Sequence, residues 1–294
     1  MSSLFSKRLV LLLVMPLLLM SPLSAARFQD EPAESPDRRG LPYPYCFGQF
    51  CRLERDEWIV GGRGQVIHFS TDAPMREQSL TKEDLSGVYF VNASTGWVVG
   101  TNGTIFHTMD GGNQWIPQVS QVKKDLRAIT CADESHCWAV GYSGVILRTE
   151  DGGRQWTQVK INVSEIFYAV DFISEQIGWA VGEDGIVFHT RNGGRTWDEH
   201  RATILFSPGT DFEEPADMLA VKFANEKLGW VAGRNGIART TDGGLTWEVK
   251  VEDETFIGLI SCDGNKVWAI NKGGPNYCSD DGGQTWHKCQ ETKS

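Results

Sequence analysis

Beyond Met20, the hydrophobic positions of this chain come in short bursts, each closed by glycine or by a polar turn. Stretches such as GVYFV (87–91), RAITC (127–131), YAVDFI (168–173), LAVKFA (219–224) and GLISC (258–262) are β-rich and too short for helices. Each leads into a second burst built on tryptophan: GWVVG (96–100), CWAVG (137–141), GWAVG (178–182), GWVAG (229–233) and VWAIN (267–271), with EWIVG (57–61) upstream of them all. Tight-turn dipeptides follow at Asn102-Gly103, Ser143-Gly144, Asp184-Gly185 and Asn235-Gly236, the residue pairs that supply positive φ to two-residue hairpins. A third strand then enters a Gly-Gly turn closed by a second tryptophan, and a fourth follows, as in WTQVKI (156–161).

The unit repeats. Its first tryptophans are Trp58, Trp97, Trp138, Trp179, Trp230 and Trp268, spaced 39, 41, 41, 51 and 38 residues apart. Its turns are TMDGGNQW (108–115), TEDGGRQW (149–156), TRNGGRTW (190–197), TTDGGLTW (240–247) and SDDGGQTW (279–286). Together they use all 11 tryptophans of the chain, so the indoles belong to the repeat and to nothing else. Four strands per unit of about 40 residues is the dimension of a propeller blade. The fold class predicted is all-β: a propeller of about six four-stranded blades over residues 46–294, with seven as the alternative. The first blade is atypical, because STDAP (70–74) has neither the glycine pair nor the tryptophan.

Ahead of the repeat, Lys7 and Arg8 precede the apolar run Leu9–Met20, and SPLSAA offers small residues for cleavage. The run is too short to span a bilayer, so residues 1–26 read as a signal peptide. Residues 27–45 read as a polar, Pro-rich linker. The formal charge is −10, and removing the leader takes away two cations and no acid. That sign disfavours nucleic acid as a general partner. Export permits disulfides among the seven cysteines. Cys131 with Cys137 and Cys278 with Cys289 are cross-strand candidates. Cys46 and Cys51 either pair locally or tie the first blade to the last, and Cys262 is left over.

The pattern Gly-Trp-x-Val-Gly followed by Thr-x-Asp-Gly-Gly-x-Thr-Trp resembles the photosystem II stability/assembly factor family of propellers. The turn itself resembles the Asp-box, or bacterial neuraminidase repeat, of sialidases and sortilin-type receptors. The resemblance implies a lumenal or periplasmic scaffold that helps build membrane-protein complexes without catalysis. Such propellers usually have seven blades and offer their client a basic patch.

Candidate chemistry is sparse. The box residues Asp110 and Trp115, Asp151 and Trp156, Asn192 and Trp197, Asp242 and Trp247, and Asp281 and Trp286 recur at one place per blade. No two of the acids can flank one bond, so their role reads as structural rather than glycosidic. His68, His107 and His189, with Arg148 and Arg239 in the same slot elsewhere, are kept apart by the radial repeat, which argues against a shared metal site. No catalytic residue, cofactor or metal is expected. Recognition is assigned to the tight-turn face, at Arg63, Tyr142, Arg234 and Lys272, together with Phe206 and Phe212 of an insertion at 202–218. The reading is a monomeric, exported, non-catalytic scaffold, without stable membrane insertion after leader removal, for a protein client of a membrane complex. A carbohydrate-binding or diverged sialidase propeller is the alternative, and a general adhesion or receptor module a third.

Overall fold

The structure is a computed structural model that describes residues 45–53, 56–201, 216–261 and 264–289. The leader, the linker up to residue 44, Phe206, Phe212 and Cys262 lie outside the described residues. Six antiparallel sheets form six blades. Blade 1 is β1 (Tyr45–Phe47), β2 (Phe50–Leu53), β3 (Asp56–Val60), β4 (Gln65–Ser70) and β5 (Arg76–Ser79). Blade 2 is β6 (Leu85–Phe90), β7 (Gly96–Gly100), β8 (Ile105–Thr108) and β9 (Ile116–Gln118). Blade 3 is β10 (Leu126–Cys131), β11 (Cys137–Gly141), β12 (Ile146–Thr149) and β13 (Thr157–Val159). Blade 4 is β14 (Phe167–Phe172), β15 (Gly178–Gly182), β16 (Ile186–Thr190) and β17 (Asp198–Arg201). Blade 5 is β18 (Met218–Phe223), β19 (Gly229–Gly233), β20 (Gly236–Thr240) and β21 (Glu248–Glu252). Blade 6 is β22 (Phe256–Ser261), β23 (Val267–Asn271), β24 (Tyr277–Ser279) and β25 (His287–Lys288).

The ring therefore has six blades, and the seven-bladed alternative falls. Blade 1 departs from the four-strand expectation by carrying a fifth strand. That strand, β1, lies inside β2 and touches both β6 and β22, so it enters the axis of the ring. Its turn residue Gly48 accepts the Val88 N–H at 3.0 Å, and the Gln49 amide donates to Leu85 O at 2.9 Å. The strands β6, β10, β14, β18 and β22 pack side by side around the same axis. They leave a cavity of about 180 Å³ between Tyr89, Thr130, Asp171, Lys222 and Ile260.

At three of the six seams, what joins one blade to the next is an aromatic stack. Trp58, Trp138 and Trp179 lie flat on Phe90, Phe172 and Phe223 of the following blade, with ring centroids 3.9, 3.5 and 3.6 Å apart. The box tryptophan of that following blade meets the same phenylalanine edge-on, at 5.9, 5.8 and 6.1 Å for Trp115, Trp197 and Trp247. Both geometries suit the ring quadrupole. The indole N–H of Trp138, Trp179 and Trp230 then donates to a box carbonyl across the seam, Gly193, Gly243 and Gly282, at 3.0, 2.9 and 3.1 Å. The glycine before each tryptophan has a physical reason: at Gly96, Gly178 and Gly229 a Cβ would run into the Phe90, Phe172 or Phe223 ring paired with it.

Blade 3 solves the same packing problem differently. Where blades 2, 4 and 5 pair phenylalanine with glycine, it pairs Cys131 with Cys137, which are disulfide-bonded and pack against Trp97. Cys46–Cys51 and Cys278–Cys289 are the other two bonded pairs. Cys46–Cys51 joins β1 to β2 within the first blade rather than linking the first blade to the last.

The seam between blades 6 and 1 is the exception. Among the described residues, no strand from the start of the chain completes the sixth sheet. Phe50 packs on Ile260 and Ile270, with Ile59 and Trp268 at the margin, and Trp268 is only half-buried. Blade 1 has no box to receive its indole. Trp179→Ala is expected to lower unfolding stability by about 3–5 kcal/mol, the range for emptying a fully buried aromatic site. Trp268→Ala is expected to cost less than about half of that, read from urea unfolding of the two variants.

Candidate functional site

The turns between the second and third strands all open on one face of the ring. Arg63, Asn102, Ser143 and Asp184 sit at φ 55, 54, 57 and 52°, each followed by a glycine in the same left-handed region. Two consecutive positive φ values make the tight hairpin that those dipeptides predict. Blade 5 differs: its loop residues Arg234 and Asn235 both avoid positive φ, and only Gly236 is unusual, at 147°.

Each turn is fastened to the connector that enters its own blade. The backbone N–H groups of Thr101, Tyr142, Glu183, Arg234 and Lys272 donate to carbonyls of Asp84, Asp125, Ile166, Asp217 and Thr255, at 2.8 to 3.3 Å. Tyr142, Arg234 and Lys272 thus hold equivalent places. Arg63 does not: the residue matching Thr101 is Gly62, and Arg63 occupies the next, left-handed position, with its N–H on Asp84 Oδ1 at 2.8 Å. Its side chain is still exposed on the same face.

Three neighbouring blades converge here. The Arg127 guanidinium, from the second position of β10, lies 5.5 Å from the Tyr142 ring centre and 5.9 Å from that of Tyr168 on β14. Arg234, from blade 5, pairs with Asp217 at 3.2 Å. Tyr168 is pushed up to about 12, by burial first and then by the Asp217 and Glu183 carboxylates. This phenol therefore stays neutral and can donate a hydrogen bond at any physiological pH. The result is a charged and aromatic patch, in which one cation lies against two tyrosine rings. Arg63 and Lys272 stand on other blades, apart from this cluster. Residues 202–215 of the insertion lie outside the described residues.

The other predicted groups fall elsewhere. Within each box the aspartate serves its own turn: Asp110 Oδ1 accepts the Gln114 N–H at 2.9 Å, and Thr108 Oγ1 accepts the Gly112 N–H at 2.9 Å. Hydrogen bonds from the Thr285 hydroxyl and backbone hold the Asp281 carboxyl far below the usual range. Asn192 does the same work uncharged, accepting the Thr196 N–H at 2.9 Å. His68, His107 and His189 stack on Trp58, Trp97 and Trp179 of the adjacent strand, with centroids 4.7, 4.5 and 4.7 Å apart. Each histidine sits in its own blade and none shares a site with another.

Arg127, Tyr168 and Asp217 are functional candidates that the sequence reading passed over. The signal was available in the strand alternation, since the second residue of each innermost strand turns away from the interblade core.

The comparisons agree with the fold. Residues 70–164, 117–210, 154–248 and 208–294 match the family described as "Photosynthesis system II assembly factor YCF48". The chain belongs to that family. A search of the curated proteins finds no match. Among solved structures, one described as "YCF48 bound to D1 peptide" is 22% identical, covering 80% of this chain and 77% of that one, with a TM-score of 0.61. "YCF48 from Cyanidioschyzon merolae" is 20% identical over 80% of this chain and 81% of that one, at 0.60. An ancestral GH74 enzyme matches at 14% identity over 70% of this chain but 31% of its own, at 0.57. At these identities the structural likenesses speak for the fold alone. On the tight-turn face, the arginine and tyrosine cluster on blades 3 to 5 is the feature that stands out from the repeat.

The stacked histidines generate a pH dependence. Burial first, and then the Arg191 and His200 charges, lower His189 from 6.5 to about 4. The unfolded chain takes that proton near pH 6.5 and the folded one only near 4, so stability is complete above the first value and declines towards the second. His68 and His107 are lowered too, burial being the largest cause, and act in the same direction. His189→Phe keeps a ring on Trp179 and removes a buried Nε2 that has no partner. It should hold stability near pH 7 and lose less than the parent at about pH 4.5, measured by urea midpoints.

Proposed function

We propose that this chain is an exported, non-catalytic propeller that holds a protein segment of a membrane complex during assembly. The observation that carries the reading is the Arg127–Tyr142–Tyr168 stack beside Arg234, on a face where glycine turns hold the frame and the side chains differ from blade to blade. Membership of the YCF48 family supports it, because a related propeller is described as bound to a D1 peptide. Arginine and tyrosine are the side chains that anchor peptide interfaces most often, through stacking and hydrogen bonding together. Of the acids in the cluster, Asp217 holds Arg234 and Glu183 accepts the Ile166 N–H, so the surface is not one for a purely electrostatic partner.

Export rests on the leader-like sequence at 1–26 and on the three bonded cysteine pairs. Among the described residues, no helix is long and apolar enough to cross a membrane. The absence of catalysis rests on the box acids, each of which is spent within its own turn. Monomeric behaviour and a binding role for Phe206, Phe212, Arg63 and Lys272 belong to the same proposal.

The test is affinity capture of integral-membrane subunits from detergent-solubilised membranes of the host, with the bound proteins identified by mass spectrometry. The parent is expected to enrich subunits of one complex. Arg127→Ala combined with Arg234→Ala should cut that enrichment by about tenfold or more, as loss of hot-spot arginines does, while unfolding stays unchanged. Equal capture by the double variant contradicts the assignment of this face.

A further inference from the structure

On the opposite face, the loop joining β10 to β11 breaks the repeat in two places at once. In four blades this loop has one shape, fixed by the same backbone bond: Val91 to Thr95, Ala132 to His136, Ile173 to Ile177 and Ala224 to Leu228, at 2.9 to 3.1 Å. Its third residue caps the turn with one oxygen. Asn92 Oδ1 accepts from Ser94 and Thr95, Asn225 Oδ1 from Lys227 and Leu228, and the Ser174 hydroxyl from Gln176 and Ile177. A neutral side chain is therefore enough. Blade 3 instead has Asp133, whose Oδ1 caps Ser135 and His136 at 2.6 and 2.8 Å and leaves Oδ2 surplus to the turn.

The second departure is at the sixth place. Ile177 and Leu228 pack there against hydrophobic cores, but blade 3 has His136. Its Nδ1 lies 2.9 Å from Asp133 Oδ2. Neighbouring ligand atoms of a tetrahedral zinc with bonds of about 2.0 Å lie about 3.3 Å apart, so this hydrogen-bonded pair is already within a few tenths of an ångström of one edge of a coordination shell. From the matching loop of blade 4, Glu175 brings a third ligand atom, and all three lie within 4.8 Å of one another. Among the described residues this is the one such group. The Cys131–Cys137 disulfide closes the loop at its base, so two of the three ligands are presented by a cross-linked turn.

From these features we infer that Asp133, His136 and Glu175 form a binding site for a divalent transition metal, with zinc as the probe, bridging blades 3 and 4. The donor set of one imidazole and two carboxylates suits a borderline ion rather than calcium. Arg148 and Arg195 are both turned to Glu150, whose carboxylate offsets part of their charge. Glu134 is engaged by the Asn92 amide at 2.7 Å and stands outside the group. A bound ion would tie a seam that otherwise depends on the Trp138–Phe172 stack. The site lies on the box face, away from the client surface, and does not depend on the proposed function.

The experiment is calorimetric titration of zinc chloride into the disulfide-bonded chain, paired with thermal unfolding with and without zinc. The parent should bind one equivalent saturably and unfold at a higher temperature in its presence. Glu175→Gln and His136→Ala, on separate blades, should each weaken binding by tenfold or more and remove the thermal shift, with metal-free unfolding temperatures near the parent's. Absence of saturable binding by the parent, or parent-like affinity in Glu175→Gln, overturns the assignment. A site built on another group, such as Cys262, gives that second result.

Discussion

An indole buried in the seam between its own blade and the next is the contact on which this ring depends. A four-stranded sheet buries one face only by lying against another sheet, so no blade is stable by itself. Here the burial is concentrated in a few large rings. Trp58, Trp97, Trp138, Trp179 and Trp230 are all essentially fully buried, whereas Trp268 is not. The geometry around them accounts for much of the remaining sequence. Glycine precedes the indole so that the phenylalanine can approach, and the box that follows exists to present a carbonyl and a second indole to the seam.

That arrangement also explains where recognition can reside. The boxes spend their recurring Asp, Asn, Thr and Ser side chains inside their own turns. The opposite face is framed by glycine pairs and by backbone hydrogen bonds, neither of which fixes the identity of the side chains next to them. Arginine, tyrosine, glutamate and lysine can therefore occupy equivalent turns without disturbing the ring. Arg127 and Tyr168 add to this from the mouth of the axis, where one arginine serves two aromatic rings from neighbouring blades.

The repeat was legible because its energetics are periodic: each indole solves the same packing problem, so the pitch of the tryptophans reports the pitch of the blades. What did not repeat was harder to read. Strand β1 has no counterpart in other blades and places Cys46 in the axis. Arg63 looked equivalent to Tyr142 because both sit at a glycine turn, but an extra glycine in blade 1 shifts it by one place. Asp217 and Tyr168 gain their roles from neighbours far along the chain, and His136 is visible as unusual only once the loop shapes of four blades are superimposed. Blade 3's cysteines form the instructive case between these extremes. Their spacing suggested a bridge, and the structure adds why it stands there, in the place of a phenylalanine and a glycine.

Native-state hydrogen exchange, read by mass spectrometry across all six seams, tests the central claim most directly. If aromatic clamping holds the ring, amides of β22 to β25 and of β2 to β4 should open at lower free energy than those of β11 to β20, with the ring parting first between blades 6 and 1. Uniform protection around the ring, or earliest opening between blades 4 and 5 where Trp179 and Phe223 stack, would contradict it.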